Sequence, residues 1–243
     1  MALTLTFNGR PFDLELAGYT TANVEGRGVL DRDLTLVNVP GRDGPYVLDQ
    51  TLPARTLRIH YRLVADRASD FLQRLNALHD ALHIEGDSII QLSDETHYRM
   101  GRLHKADDPP YDAYRGFGSF DLLCADPYKY KDLPAQSGTS LTASGATTYP
   151  HRIRSIAATL TAGQEGLTIS NITTGRRIVL TGAFSAGQTL LILPGDGRIL
   201  LNGQNIMSRL DYITSDWHDF EIYSGNQITS TANLTLNLSE RAL

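Results

Sequence analysis

The sequence predicts a mainly β protein with an α+β first half and an all-β second half. One amphipathic helix pattern occurs, and it lies in the first half. The second half shows only short apolar segments separated by Gly, Asn and Asp, with no helical period. The uncharged stretch 134–145, rich in small residues, predicts a flexible linker. We therefore expect two domains, residues 1–133 and 146–243, within a length of 243 residues.

Strands are predicted at the start of the first domain. Apolar and polar side chains alternate through residues 55–63, which indicates a strand with one buried face. A less regular alternation covers residues 33–39. The Gly- and Pro-rich segment 40–45 lies between these tracts and predicts a turn.

A helix from Ser69 to Glu85 follows, because five apolar residues recur there at three- and four-residue spacings. Ser69 or Asp66 could cap its start, and Gly86 suits a left-handed position after its end. Beyond the helix, a hairpin is predicted from residues 88–92 and 96–105, and a further strand from residues 118–125.

The second domain is predicted to be a β-sandwich because it contains about seven short strand patterns in roughly 100 residues. The last of them is the most regular, with Leu234, Leu236 and Leu238 alternating with polar residues. The predicted strands are residues 154–160, 167–170, 177–181, 189–193, 198–201, 219–223 and 233–238.

Composition excludes several classes of protein. A net charge of −5 argues against a sequence-independent nucleic-acid binder, which needs a basic excess to displace phosphate counterions. The longest aliphatic run, residues 190–193, is far too short for a membrane span, so no membrane insertion is expected. The single cysteine, Cys124, excludes an internal disulfide and is expected to be a small buried apolar residue.

Motifs for catalysis are weak. His79 and His83 lie four residues apart on the predicted helix, as two zinc ligands of a protease helix do, but Asp80 stands where that motif has glutamate. The alternative is that both histidines are half-exposed residues beside the apolar stripe. We therefore predict a protein that is not an enzyme and has no cofactor, and a zinc hydrolase is the third hypothesis.

Two sets of side chains are candidate contact sites. The polar face of the strand at 55–63 carries Arg58, His60 and Arg62, which could meet another subunit or form an ordinary solvated face. In the second domain, Tyr212, Trp217 and Tyr223 could contact a glycan or a partner protein. The alternative for Trp217 is a core or loop anchor.

The order of these features resembles that of the distal tail proteins (Dit) of phages with long, non-contractile tails. The resemblance covers essentially the whole chain and includes the strand, helix and hairpin just described. The segments that carry it are residues 39–44, 55–63, 69–85, 120–130 with its Asp-Pro-aromatic end, 148–151 and 200–203.

The resemblance implies a structural virion protein at the tail tip, assembled in the host cytoplasm. In this family the N-terminal domains form a hexameric ring between the tail tube and the tip protein, and galectin-like C-terminal sandwiches project outward, where receptor-binding or baseplate proteins attach. The expected partners are therefore copies of the chain itself, the major tail tube protein, the tip protein and receptor-binding proteins, with DNA only passing through the lumen. A carbohydrate-binding module or adhesin is the second hypothesis.

Overall fold

The computed structural model describes residues 3–107, 111–112 and 114–243, and the chain divides into two compact units. The first unit comprises residues 1–129 with Leu243, and the second comprises residues 130–242. The prediction of a mainly β protein, α+β in its first half and all-β in its second, is confirmed. No helix in the described part of the chain is both long and apolar enough to cross a bilayer.

Within its described residues, the first unit contains ten strands and two helices. The strands are β1 (Leu5–Phe7), β2 (Arg10–Pro11), β3 (Tyr19–Glu25), β4 (Asp33–Val37), β5 (Tyr46–Thr51), β6 (Arg55–Val64), β7 (Ser88–Leu92), β8 (Tyr98–Ala106), β9 (Tyr111–Asp112) and β10 (Arg115–Cys124). The helices are α1 (Phe12–Glu15) and α2 (Ala68–Leu82).

Strand β6 organises this unit, because it pairs antiparallel with β3 on one side and with β10 on the other. Its side chains alternate as the sequence predicts, with the apolar face buried and the polar face partly or fully exposed. The buried face packs in one core with residues of β10 and α2. That core includes Leu57, Ile59, Leu63, Phe71, Leu78, Phe120, Leu122 and Cys124.

The helix is confirmed, but its ends differ from the prediction. It begins at Ala68, and its N-cap is Arg67, which makes no capping side-chain hydrogen bond. Ser69 cannot cap it, since it lies inside the first turn and donates to Asp70 instead. The helix ends at Leu82, so Gly86, although left-handed with φ of +81°, belongs to the turn before β7.

The second unit is all-β apart from two single turns of 3-10 helix. Strand β11 (Lys129–Asp132) lies at the boundary between the units, and the strands that follow are β12 (Gln136–Thr142), β13 (Arg152–Thr159), β14 (Gln164–Asn171), β15 (Arg176–Phe184), β16 (Thr189–Leu193), β17 (Arg198–Leu201), β18 (Gln204–Asn205) and β19 (Gln227–Ala242). The 3-10 turns are Pro194–Asp196 and Met207–Arg209.

The long last strand connects two sets of strands around one core. The start of β19 pairs with β14, whose other neighbour is β15. Farther along, β19 pairs with β13, which continues to β16 and β17. Leu234, Leu236 and Leu238 are buried, as the alternation predicted, and they share the core with apolar residues of both sets.

Two predictions about this unit are wrong. The stretch 134–145 is not a flexible linker throughout, because Gln136–Thr142 forms β12 and pairs with β19. Its small polar residues are compatible with a strand whose side chains are mostly exposed. Conversely, residues 219–223 form no strand, although Phe220 and Ile222 are buried. The Asn171 side chain donates to the carbonyl oxygen of Glu221, and the backbone N–H of His151 donates to that of Ile222.

Candidate functional surfaces

The two histidines of α2 do not form a metal site with a third ligand. His79 and His83 are exposed on the last turn of the helix, with ring centroids 6.4 Å apart. The Nδ1 of His83 lies 3.0 Å from the carbonyl oxygen of His79, so the helix end itself engages that nitrogen. Within the described residues, no three His, Cys, Asp or Glu side chains are grouped so that they could hold a metal ion.

Cys124 is placed where it cannot act as a nucleophile. It lies fully buried on the core face of β10, and burial raises the pKa of its thiol to about 11, against the opposing influence of Arg99 and Arg55. A thiol needs a lowered pKa and access to react at neutral pH. The sequence-based interpretation of Cys124 as a small buried residue agrees with this placement.

The polar face of β6 carries Arg58, His60 and Arg62 side by side, as the alternation predicts. Arg58 forms an ion pair of 3.3 Å with Asp121 on β10 and one of 3.1 Å with Asp107. His60 lies 3.0 Å from Glu25 on β3. Acidic side chains thus contact Arg58 and His60.

Arg62 differs from its two neighbours on this face. It is exposed and makes no ion pair with any residue that the structure describes. The role of this face as an inter-subunit contact stays a prediction, with Arg62 as its one unmatched charge.

The three aromatic candidates of the second unit do not share one environment. Tyr212 is 61% exposed, whereas Trp217 is partly buried against the core of the unit. Tyr223 is half-buried, and its hydroxyl donates a 2.7 Å hydrogen bond to Glu221. The packing of Trp217 favours the anchor interpretation, while a glycan or partner contact at these residues stays a prediction.

The hairpin of β4 and β5 confirms the predicted strand at 33–39 and the predicted turn at 40–45, but its exposure on both faces was not predicted. These strands form a separate two-stranded sheet, and every residue of both strands is exposed. Apolar side chains lie on both faces of this sheet, and Leu48 is 67% exposed. The exposed apolar residues of the hairpin are Leu34, Leu36, Val37, Val39, Tyr46, Val47 and Leu48.

The hairpin tip has its own stacked contact, because the guanidinium of Arg42 lies 3.4 Å from the centroid of the Tyr46 ring. A strand buried on one face alternates apolar with polar residues, whereas residues 46–48 are three consecutive apolar side chains. That run beside a Gly- and Pro-rich turn is the signal in the sequence that could have indicated a hairpin exposed on both faces.

Charged groups fix the chain that leads into this hairpin. Arg55 is buried, and its Nη1 donates to the carbonyl oxygens of Gly26 and Gly28 at 2.7 and 2.9 Å. Arg27 pairs with Asp94 at 2.9 Å and with Glu95 at 2.8 Å. The base of the hairpin is therefore tied to the body of the first unit, although the hairpin itself is exposed.

Comparison with known proteins gives consistent results for both halves of the chain. Residues 146–241 match the family model of the siphovirus-type tail component, C-terminal domain. Over 236 residues the chain is 28% identical to the distal tail protein of Bacillus phage SPP1, covering 93% of this chain and 91% of that protein.

Solved structures share the fold along the full length. The crystal structure of SPP1 Dit superposes with a TM-score of 0.84 at 21% identity and covers 100% of both chains. A chain of the phage p2 baseplate, in its activated conformation with Sr, superposes with a TM-score of 0.61 at 10% identity, covering 100% of this chain and 99% of that one. The chain is thus similar over nearly its whole length to a siphophage distal tail protein, and residues 146–241 match the C-terminal domain of a siphovirus-type tail component.

Proposed function

We propose that this chain forms a closed ring with copies of itself, most simply a hexamer, at the distal end of a phage tail. The observation that carries the proposal is the exposed β4–β5 hairpin. An isolated two-stranded hairpin is at best marginally stable in water, and exposed apolar patches of this kind mark protein contacts. A second copy of the chain is the partner that would cover it in every subunit.

A ring needs two different surfaces on each subunit, one of which meets the other on the next copy. The hairpin supplies one of them. The face of β6 with Arg62 is the proposed second surface, since the hairpin carries the exposed acidic residues Asp33 and Asp49 among its apolar side chains. Attraction between Arg62 and the hairpin's Asp33 and Asp49 would align neighbouring subunits, while contacts of the apolar side chains would supply most of the free energy of association.

The wider role follows from the relatives. The solved SPP1 protein is described as a paradigm of the hub adsorption apparatus in phages that infect Gram-positive bacteria, and the p2 chain belongs to a baseplate. By analogy, the ring joins the tail tube to the tip protein and serves as the attachment hub for receptor-binding proteins in the virion. Its work depends on shape and contact, without catalysis, and DNA only passes through its lumen.

Light scattering and sedimentation across a micromolar range test the ring. Leu36 and Val47 are paired across the hairpin, so we expect the double variant Leu36→Glu, Val47→Glu to stay monomeric where the wild-type chain assembles beyond a dimer. Ile213→Glu is the matched control, because Ile213 is a fully exposed apolar residue of the second unit. It should assemble like the wild type.

The same measurements are repeated on the chain co-expressed with a tail tube or tip protein, because such a partner could nucleate the ring. A wild-type chain that stays monomeric at all concentrations, even beside these partners, contradicts the proposal. So does a hairpin double variant that assembles normally.

A further inference from the structure

The second unit contains an open cavity of about 380 Å³ that is lined by polar side chains. Its walls come from two segments of the chain, the turn between β14 and β15 and the irregular segment before β19. The lining residues are Thr174, Arg176, Asp219, Glu221 and Tyr223. The volume is within the range of about 300–1,000 Å³ that is usual for small-molecule sites.

A buried amide holds these two walls together. Asn171 is fully buried, and its Nδ2 donates to the carbonyl oxygen of Glu221 at 2.9 Å and to Oδ1 of Asn226 at 2.8 Å. The same Asn226 oxygen accepts from the backbone N–H of Tyr223 at 3.0 Å. These bonds hold the segment that carries Glu221 and Tyr223 against the end of β14, next to the turn that carries Thr174, so both wall segments are fixed without a ligand.

Asp216, next to the cavity, fixes the lining residue Arg176 through hydrogen bonds. Its Oδ1 accepts from Nη1 of Arg176 at 2.7 Å, and its Oδ2 accepts from the backbone N–H of Arg177 at 3.1 Å. The guanidinium thus has a defined position while its side chain stays 45% exposed. Asp219 lies 3.6 Å from the same guanidinium and is 69% exposed, so both can still contact a ligand.

The chemistry of the lining suits a polyhydroxylated ligand. Carboxylates accept hydrogen bonds and a guanidinium only donates them, so a row of hydroxyl groups, each able to do both, can satisfy Asp219, Glu221 and Arg176 together. Tyr223 adds an aromatic ring, and its hydroxyl already orients Glu221. A purely apolar ligand would cover these charged groups without offering them any hydrogen bond in place of water.

Charge narrows the class of ligand further. The lining carries two carboxylates, Asp219 and Glu221, and one guanidinium, Arg176, so it favours a ligand rich in hydrogen-bond donors over a phosphate or a carboxylate. A bound metal ion finds no suitable set of three ligands within the described residues. From the cavity, the hydrogen bonds that hold its two wall segments and the two carboxylates of its lining, we propose that this site binds a neutral saccharide.

The site is distinct from the aromatic set Tyr212, Trp217 and Tyr223, of which only Tyr223 lines the cavity. It also lies outside the hairpin on which ring assembly depends. The proposal therefore goes beyond the structural role, and the two can fail separately.

Saturation-transfer NMR on the full chain tests the site with glucose, galactose, mannose and their N-acetylated 2-amino forms. We expect at least one of these sugars to bind with millimolar affinity, and glucuronate to bind at least fivefold more weakly than glucose. Glu221→Ala should weaken the signal at least tenfold. Tyr212→Ala, an exposed aromatic outside the cavity, should leave it unchanged.

Where Glu221→Ala fails to fold, Glu221→Gln carries the test, because it keeps the size of the side chain and removes the charge. It should reduce the discrimination between glucose and glucuronate at least threefold. The proposal is overturned if no neutral sugar gives a signal, if glucuronate binds as well as glucose, or if Tyr212→Ala rather than the Glu221 variants abolishes binding. Light scattering on the same variants should show unchanged assembly, which separates a failed sugar site from a failed ring.

Discussion

Arg99 and Glu95 form an almost completely buried ion pair in the first unit. The Nη1 of Arg99 lies 2.5 Å from Oε2 of Glu95, and the two side chains are 2% and 15% exposed. Burial by itself would raise the pKa of Glu95, but hydrogen bonds from Arg99 and Arg27 outweigh it and hold that pKa below its ordinary value. The pair therefore connects the body of the unit to Arg27 at the base of the β4–β5 hairpin.

Replacing Glu95 with alanine should destabilise the protein by about 3 kcal/mol or more, because it leaves the buried charge of Arg99 without its partner. Urea denaturation at pH 7 measures the change. Asp87→Ala is the matched control, since Asp87 pairs with an exposed arginine, Arg102, and such pairs contribute little. Equal losses in the two variants would contradict the structural importance of the buried pair.

Gly26 should tolerate no side chain. Its φ is +82°, and a Cβ there would lie 1.9 Å from the carbonyl oxygen of Thr56. Gly26→Ala should therefore lower the free energy of unfolding by more than about 2 kcal/mol, from both strain and overlap.

Gly28 provides the control two residues farther on. An added Cβ there has no atom within 4 Å, and its φ is not in the left-handed region. Gly28→Ala should change stability by no more than about 0.5 kcal/mol. Denaturant midpoints of the two variants, measured side by side, decide whether the backbone at Gly26 is as constrained as its geometry indicates.

The thiol of Cys124 should be inert in the folded protein. With a pKa of about 11 and no exposure, it should react with a disulfide reagent at pH 8 at least a hundredfold more slowly than in denaturant. The variant Ser140→Cys, at an exposed position of β12, should react rapidly under the same conditions. Rapid labelling of Cys124 in the native wild type would show that β10 opens locally.

Sequence patterns predicted well those elements whose two faces meet different environments. Residues 55–63 and the leucines of β19 each bury one face, and a period of two records that asymmetry directly. The stripe of α2 records the same asymmetry at a period of 3.6.

The missed elements lack this asymmetry or owe their form to other interactions. Both faces of the β4–β5 hairpin are exposed in the single chain, so the alternation over residues 33–39 is irregular and residues 46–48 show none. Strand β12 is held chiefly by its backbone pairing with β19. Residues 219–223 alternate like a strand, but the distant Asn171 fixes them through its side chain, which a local pattern cannot record.

The candidate sites show the same difference between local patterns and tertiary contacts. The alternation of β6 placed Arg58, His60 and Arg62 on one face, since a local period determines neighbours within a strand. The cavity around Arg176 and Glu221 joins segments about 45 residues apart, and their meeting depends on tertiary structure. No motif spacing could have predicted it.

His151 should make the stability of the protein depend on pH between about 7.5 and 5.5. The side chain is buried, and loss of solvation lowers the pKa of its imidazole, while Ser144 and Glu240 act in the opposite direction. The unfolded chain, with an ordinary histidine pKa of about 6.5, takes up a proton before the folded one does. Stability is thus fully present above that value and falls as the pH drops through it, until the folded protein is protonated as well.

The measurement is a series of urea denaturations from pH 7.5 to 5.5, a window above the ordinary titration of carboxylates. His151→Gln should flatten the dependence of the unfolding free energy on pH, whatever its effect at pH 7.5. His104→Gln, at an exposed position of β8, should leave the slope of the wild type intact. If the slope survives in His151→Gln, another group causes the pH dependence, because glutamine does not titrate between pH 7.5 and 5.5.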